Sequence, residues 1–422
     1  MIATESLSQD KRKVIVAHPG TQHSYQTALG LQEAGMLKAY LTGFYYKKPS
    51  FVSTSAHLFP TRFASRLERE LNRRRKEELD QNLVRTLPIP ELMYVASARL
   101  KCLGRWSDQL LRWRNERFDA HVARLVAFER PDAVICYNSC ALNTFTTGKE
   151  LGVTTVLDQT IGHVKAGIKI LREEARLHPE FADSLNVNAP DLLIEHDSAE
   201  ALAADWVLAP SGFVRDTLVA EGVSPSKIVV LPYGADSARF HPSTRRDDAM
   251  FRILFVGGVS QRKGVKYLLE AFKRLRLPNS ELILVGGIVG SGEGLKPYSG
   301  NFRHITHVPH GEVHVWFQNA DIFVYPSLFE GSALAIYEAL ASGLPVITTP
   351  NAGSVVRDSV EGFIVPIRDV ETLMERILSL YRDHELRSTM GFNARTRAEQ
   401  FTWEQYRRRL GTLLKNFVKD QA

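Results

Sequence analysis

Two glutamates with a turn between them are the residues of this chain whose spacing best suits chemistry on a charged ligand. Glu330 follows an apolar run, 321–325, that predicts a buried parallel strand, and Glu338 lies on a helix predicted to begin near Ser332. At about 1.5 Å of rise per residue, the two carboxylates lie roughly 10–12 Å apart along the axis. The helix start between them has free N–H groups and the positive end of the helix dipole, which suits phosphate. The spacing fits a ligand with a sugar, phosphates and a ribose in that order, which is a nucleotide sugar.

The same stretch also has a purely structural interpretation, in which a strand, a turn and an amphipathic helix place two acids in water. The two interpretations predict different surroundings for the carboxylates. If a phosphate binds here, its expected donors are the backbone N–H groups of Gly331, Ala333 and Leu334.

The whole string from 328 to 353 resembles a known signature position by position. The matching residues are Glu330–Gly331, Glu338–Ala339, Gly343, Pro345–Val346 and Gly353. They resemble the retaining glycosyltransferases of family 4. The resemblance implies an α/β, GT-B fold, with two Rossmann-like parallel-sheet domains facing a central cleft and a C-terminal helix returning to the first domain. It also implies a hexosyltransferase that uses a UDP- or GDP-linked sugar, with no cofactor.

A cationic loop, 257–264, follows the predicted strand 252–256 and precedes a predicted helix. Lys263 matches the family pattern directly, and its ammonium suits a pyrophosphate. Many family members have an arginine where this chain has Gly258, and Arg262 either replaces that arginine or points to solvent.

Further along, the resemblance implies that the nucleotide base docks near the turn at 309–311. His310 is therefore a candidate for lining the base pocket, with a surface turn as the alternative.

The N-terminal half opens with a predicted strand at 13–18 and a helix from about residue 24. The loop between them is not a GxGxxG motif, so its own signal for phosphate is weak. The resemblance implies that this loop faces the cleft, which makes Gly20, Gln22 and His23 acceptor-side candidates. His23 could equally do no more than begin the helix.

Two further strands are predicted at 131–136 and 153–157. Asn138 follows the first, where family members often have a histidine. Asp158 and His163 follow the second, at the carboxyl end of a parallel strand, where ligands gather in open α/β sheets. A lone histidine is often structural, so His163 has both interpretations. The next helices are predicted at 171–180 and 190–203.

The expected chemistry is displacement of a diphosphate by an acceptor hydroxyl. The predicted catalytic residues are Glu330, Lys263, Arg262 and His163, with Glu330 binding donor-sugar hydroxyls and Glu338 the ribose hydroxyls. In the mechanism usually proposed for the family, the leaving phosphate takes the acceptor proton. No DxD motif lies in a suitable loop, so no metal is expected.

Composition agrees with a globular protein of two domains. The chain has 422 residues, 44% hydrophobic and 24% charged, with a net charge of +6 and three cysteines. The mild charge gives no reason to expect a nucleic-acid partner. The sparse, odd cysteine count favours a reducing compartment. With no signal peptide or transmembrane run apparent, we expect a cytoplasmic protein that touches the inner membrane face peripherally if at all.

Basic segments are the candidates for that membrane contact. The stretch 62–76 is rich in arginine, and Arg112, Arg114 and Arg117 lie near Trp106 and Trp113. Such a surface suits anionic lipid, but it is also what a solvated helix face looks like.

The predicted domains are 1–236 on the acceptor side, 237–395 for the nucleotide sugar, and a return helix at 396–422. The expected acceptor is a glycan or a lipid-linked sugar, as in polysaccharide biosynthesis. Two other functions fit the same fold: a nucleotide-sugar epimerase or glucan synthase, and a non-catalytic binding or scaffold protein. The glucan synthases usually open with a Lys-Thr-Gly-Gly loop, which this chain lacks.

Overall fold

The computed structural model of the chain describes residues 12–20, 23–47, 75–99, 106–187, 191–243, 248–309 and 311–418. The chain divides into two compact units. The first is drawn from Met1–Asp158, Ala199–Leu208 and Arg407–Ala422, and the second from Gln159–Ser198 and Ala209–Tyr406. The segment Gln159–Ser198 therefore groups with the second unit. The domain boundaries at 236 and 395 stay a prediction.

Seven strands form the first sheet, in the order β3-β2-β1-β4-β5-β6-β7. Its strands are β1 Val14–His18, β2 Leu37–Thr42, β3 Val84–Thr86, β4 Ala133–Tyr137, β5 Thr154–Asp158, β6 Trp206–Ala209 and β7 Ile228–Val230. Strand β1 pairs in parallel with β2 on one side and β4 on the other, so the strand order reverses between β1 and β4. Every residue of β1 and β4 is buried, as expected for parallel strands covered on both faces.

Six strands form the second sheet, in the order β10-β9-β8-β11-β12-β13. They are β8 Phe251–Val256, β9 Ser280–Val285, β10 Arg303–Ile305, β11 Ile322–Tyr325, β12 Val346–Thr348 and β13 Gly362–Ile364. Strand β8 pairs in parallel with both β9 and β11, and the strand order reverses between β8 and β11. Two parallel sheets of this kind confirm the predicted fold class.

The helices complete the alternating pattern of strand and helix. They are α1 Ser24–Glu33, α2 Pro88–Arg99, α3 Ser107–Glu129, α4 Leu142–Glu150, α5 Val164–Leu177, α6 Asp191–Ala203, α7 Gly212–Ala220, α8 Val265–Leu275, α9 Val313–Gln318, α10 Leu334–Ala341, α11 Val370–Arg382, α12 His384–Glu399 and α13 Trp403–Phe417. None of the helices within the described ranges is both long enough and apolar enough to cross a membrane.

The last helix returns to the first unit, as predicted. Arg407 of α13 donates from Nε to Glu33 of α1 at 2.8 Å. Phe417, also on α13, stacks on Trp206 with ring centroids 4.3 Å apart. A charged pair and an aromatic stack therefore hold the end of this helix to the first unit.

The start of helix α5 differs from the prediction. Helix α5 begins at Val164 rather than near residue 171, because the His163 side chain caps its first turn. The helix ends at Leu177, and a 3₁₀ turn begins at Pro179, whose ring suits the first position of a new helical turn.

Candidate active site

The predicted donor residues lie at the carboxyl ends of β8 and β11, where the order of the second sheet reverses. Ligands of open α/β sheets bind at such switch points. The loop after β8 carries Arg262 and Lys263, and the loop after β11 carries Glu330. The sheet order therefore brings together charged residues that lie nearly seventy positions apart in sequence.

A short 3₁₀ turn, Gln261–Lys263, presents the two cations. It ends at Gly264, whose φ of +72° is in the left-handed region that favours glycine. A Cβ at Gly264 would also collide with the carbonyl of Pro326. The Leu328 N–H donates to the Arg262 carbonyl at 2.9 Å, so the two loops are joined through their backbones.

Arg262 and Lys263 both point at Glu330. The Nη1 of Arg262 donates to Glu330 Oε1 at 2.7 Å, and the ammonium of Lys263 contacts the same oxygen. The side chains of Arg262, Lys263 and Glu330 are 31%, 13% and 12% exposed. Arg262 thus points at the predicted site rather than at solvent. Among the described residues, both cation contacts of the Glu330 carboxylate are made by Oε1.

The environment of Lys263 acts on its charge in two directions. Burial, and to a lesser extent the neighbouring Arg262 charge, lower the pKa of Lys263 to about 6. The Glu330 carboxylate in contact with the ammonium favours the charged form. A ligand phosphate would favour it in the same way, so anion binding and lysine protonation support each other.

The loop that carries Glu330 is held tightly by the segment after β5. A Cβ on Gly331 would collide with the Thr160 carbonyl, so only glycine fits there. The Phe329 ring lies against Gly162 and Gly167, where an added Cβ would come within 2.7 Å and 2.6 Å of it. The Gly162 N–H donates to the Glu330 carbonyl at 3.4 Å. Two glycines of this segment therefore make the slot for Phe329.

Helix α10 follows this loop and carries Glu338 as predicted, but it begins two residues later than expected, at Leu334. The Ala333 N–H donates to the Ala352 carbonyl at 3.2 Å, so it is not available to a phosphate. That prediction is corrected. Leu334 is the first helical residue, and its N–H has no partner inside the helix.

Glu338 is partly buried on α10, and its charge state is sensitive to pH. Burial raises the pKa of Glu338 to about 7, and the positive charge of Arg239 partly offsets this. Arg239 Nη2 is buried without a hydrogen-bond partner in the described part of the chain. Neither carboxylate of the predicted pair simply faces water, which disagrees with the purely structural interpretation.

The first unit gathers a second polar cluster at the ends of β1, β4 and β5. His23 Nε2 and Asp158 Oδ2 lie 2.9 Å apart, with both side chains 4% exposed. The His23 ring meets Tyr137 edge-on at 5.3 Å. The Asn138 N–H donates to the Asp158 carbonyl at 3.4 Å.

Gly20 borders the same cluster. The Thr42 hydroxyl donates to its carbonyl at 3.2 Å. His18, which sequence analysis did not single out, lies beside it, and burial lowers the pKa of His18 to about 3. Gln22 lies outside the described residues.

His163 does not join this cluster. Its side chain is buried, Nδ1 accepts from the Lys165 N–H at 3.3 Å, and Nε2 lies 3.1 Å from the Ser198 hydroxyl. Burial lowers the pKa of His163, which favours the neutral ring. With both nitrogens engaged, the geometry supports the structural role of a helix cap, and His163 is corrected from a catalytic to a capping residue.

The remaining predicted residues give mixed outcomes. A Cβ added at Gly258 would lie 3.4 Å from the Val289 side chain, which is van der Waals contact. His310 lies outside the described residues, as does most of the basic stretch 62–76. Arg114 is paired with Glu91 at 2.9 Å and is not part of an open basic face. Membrane contact thus stays a prediction.

The segment that carries the predicted donor residues is similar to known proteins. Residues 236–397 match the family model "Glycosyl transferases group 1". A D-inositol 3-phosphate glycosyltransferase of Paenarthrobacter aurescens is 33% identical over 214 residues, which cover 45% of this chain and 52% of that protein. The UDP-Gal:alpha-D-GlcNAc-diphosphoundecaprenol alpha-1,3-galactosyltransferase of Escherichia coli is 28% identical, over 42% of this chain and 50% of that protein. The chain spans about half the length of the curated relatives it matches.

The fold as a whole is shared with solved structures. Sucrose-phosphate synthase of Thermosynechococcus elongatus superposes with a TM-score of 0.66 over 96% of this chain and 99% of that one, at 18% identity. At that identity the likeness concerns the fold. The matched segment contains Lys263, Glu330 and Glu338. Residues 236–397 are therefore similar to the group 1 glycosyl transferases, and the chain as a whole shares its two-sheet fold with these solved structures.

Proposed function

We propose that this protein is a glycosyltransferase that moves a sugar from a nucleotide-diphosphate donor to a glycan or lipid-linked acceptor. The observation that carries the proposal is the meeting of Arg262, Lys263 and Glu330 at the switch point of the second sheet. These residues lie inside the segment that matches the group 1 family. The name of the galactosyltransferase relative specifies a UDP-linked sugar and a lipid diphosphate acceptor, which supports this choice of substrates.

The donor diphosphate binds by replacing Glu330 as the partner of the two cations. The guanidinium of Arg262 suits two phosphate oxygens and the ammonium of Lys263 supplies a point charge. The Leu334 N–H at the start of α10 adds a backbone donor on the side where the helix dipole is positive. Glu330 then accepts hydrogen bonds from the hydroxyls of the donor sugar, and Glu338 from those of the ribose.

The reaction proceeds with retention and without a metal. The bond from the anomeric carbon to the diphosphate oxygen breaks, and a bond from that carbon to the acceptor oxygen forms. The acceptor proton passes to the departing phosphate oxygen. Retention rests on the family resemblance. Arg262 and Lys263 support metal independence, because they supply positive charge where negative charge develops on the leaving group.

In this scheme no side chain is required as a base. The capping role of His163 supports that point, because its two nitrogens are already used within the fold.

Release of nucleotide tests the proposal. Purified protein is incubated with a panel of UDP- and GDP-sugars, with and without sugar and lipid-linked acceptors. We expect nucleoside diphosphate and a glycosylated acceptor in equal amounts for one donor. An epimerase would convert the donor sugar without acceptor-dependent nucleotide release. Binding of a donor with no turnover on any acceptor would favour a binding or scaffold protein.

A further inference from the structure

A buried carboxylate stands behind the cationic turn. Glu174 lies on α5, in the segment that groups with the second unit, and it is fully buried. Its Oε1 accepts hydrogen bonds from Gln261 Nε2 and from the Tyr267 hydroxyl, both at 2.6 Å. Its Oε2 accepts from Arg368 Nε at 2.7 Å. One carboxylate therefore joins three separate parts of the second unit.

Gln261 connects this carboxylate to the site. It is fully buried and immediately precedes Arg262 and Lys263. Its side-chain oxygen accepts from the Lys266 N–H at 3.0 Å, and its backbone N–H donates to the Ser184 hydroxyl at 3.0 Å. Because a carboxylate can only accept, the Gln261 amide has one possible orientation, with its NH₂ toward Glu174. The turn that carries the two cations is thus held at its first residue.

The other donors fix Glu174 itself. Burial, and then the hydrogen bond to Glu174, raise the pKa of Tyr267, so its hydroxyl remains a donor at physiological pH. Arg368 also donates to Glu173 at 2.8 Å and to the Ile170 carbonyl at 3.1 Å. A buried ion pair is weak evidence for stability alone, since apolar residues often serve as well. The Glu174–Arg368 pair is therefore considered for its effect on the position of Gln261.

We infer that Glu174 is a positioning residue for the donor diphosphate, acting through Gln261 on the placement of Arg262 and Lys263. The inference rests on the proposed function, because the ligand is the diphosphate of the nucleotide sugar. Glu174 itself is buried and does not touch the ligand. Its effect is on where the two positive charges lie, and misplacing a charge-stabilising group by about 1 Å can cost up to a hundredfold in rate.

The binding of inorganic pyrophosphate and the binding of the nucleoside, compared in one variant, distinguish this positioning role from a general loss of structure. Each is measured as a competitor of UDP or GDP binding, whichever the parent protein binds. In Glu174→Gln we expect the inhibition constant of pyrophosphate to rise about tenfold or more, because one charged acceptor is lost. The inhibition constant of the nucleoside should stay within twofold, because the ribose and base do not depend on the turn.

Glu173→Gln is the matched control, because its carboxylate lies next in sequence, is 59% exposed and contacts Arg368 but not Gln261. Its two inhibition constants should equal those of the parent. If Glu174→Gln does not fold, Gln261→Ala decides by the same criteria, since it leaves Glu174 bonded to Tyr267 and Arg368.

Two results would overturn the inference: an unchanged pyrophosphate constant in the folded variant, or an equal loss for pyrophosphate and nucleoside. If the parent binds neither UDP nor GDP, the proposed function fails first, and this inference fails with it.

Discussion

At the second sheet, Arg262, Lys263 and Glu330 meet with side chains 31%, 13% and 12% exposed, whereas at the first sheet His23 and Asp158 are each only 4% exposed. Both groups lie at the carboxyl ends of parallel strands, beside the point where the strand order reverses. The same architecture therefore produces one polar cluster that is partly exposed to solvent and one that is enclosed.

The difference in exposure predicts a difference in role. A partly exposed carboxylate can give up its cations to a ligand phosphate, because water and ligand compensate the charges that separate. An enclosed pair loses its interaction without compensation when one partner is removed. Substitutions in the second sheet should therefore change ligand binding and turnover, and substitutions in the first should change stability.

The largest effect is expected at Lys263. Lys263→Ala should lower turnover by about two orders of magnitude, because one donor to the developing negative charge is lost. The rate of nucleotide release at steady state measures this turnover. Lys296→Ala is the control, since Lys296 is 71% exposed and pairs with Glu293. Activity of Lys263→Ala within threefold of the parent would contradict the phosphate role and remove the contrast between the two clusters.

Glu338 should have the next largest effect. Glu338→Ala should raise the donor dissociation constant more than tenfold, because a carboxylate hydrogen-bonded to hydroxyls contributes about 1.5–3 kcal/mol. Isothermal titration with the accepted nucleotide measures the change, and circular dichroism confirms that the fold survives. An unchanged dissociation constant would remove Glu338 from the site.

The pH dependence of donor binding sharpens the same assignment. Burial raises the pKa of Glu338 from 4.5 to about 7. The ionised form is the better acceptor, so ionisation of Glu338 should by itself increase donor affinity about tenfold from pH 6 to pH 8. Lys263 and the ligand phosphates titrate in the same range, so Glu338→Gln is the matched control. The variant should keep the pH dependence due to those groups and lose only the part due to Glu338. Between pH 4.5 and 7, Glu338 is protonated in the folded state and ionised in the unfolded state. Its contribution to the free energy of unfolding therefore falls as pH rises through this range.

The smallest effect on the donor dissociation constant is expected for a substitution in the first unit. Asp158→Asn should leave the donor dissociation constant within twofold while lowering the free energy of unfolding by about 1–3 kcal/mol. Thermal unfolding and donor titration measure the two quantities. Asp216→Asn serves as the control, because Asp216 is 66% exposed. A rise in the acceptor KM at unchanged stability would instead support the predicted acceptor role of Asp158.

Local features of the chain were predictable where a short-range pattern encodes them. The apolar runs that become β1, β8 and β11 were recognisable because buried parallel strands are continuously apolar. Helix α11 begins directly after Asp369, whose side chain caps it by accepting from the Thr372 N–H at 2.9 Å, and aspartate is a common capping residue. The start of α5 was missed because the cap is a histidine, which is an uncommon capping residue.

The sequence by itself determined the parallel strands and the charged loops that follow them, because strand and loop patterns extend over a few residues. Glu330 and Glu338 were chosen from their spacing, and Lys263 from the family resemblance. Only the tertiary structure decided that Arg262 turns to Glu330, that His23 meets Asp158 across 135 positions, and that Glu174 lies behind the cationic turn. These contacts depend on strand order and helix packing, which join residues that no short-range pattern relates. Burial lowers the pKa of Lys263 and raises the pKa of Glu338. That burial also depends on the tertiary structure, because it is set by neighbours distant in the chain.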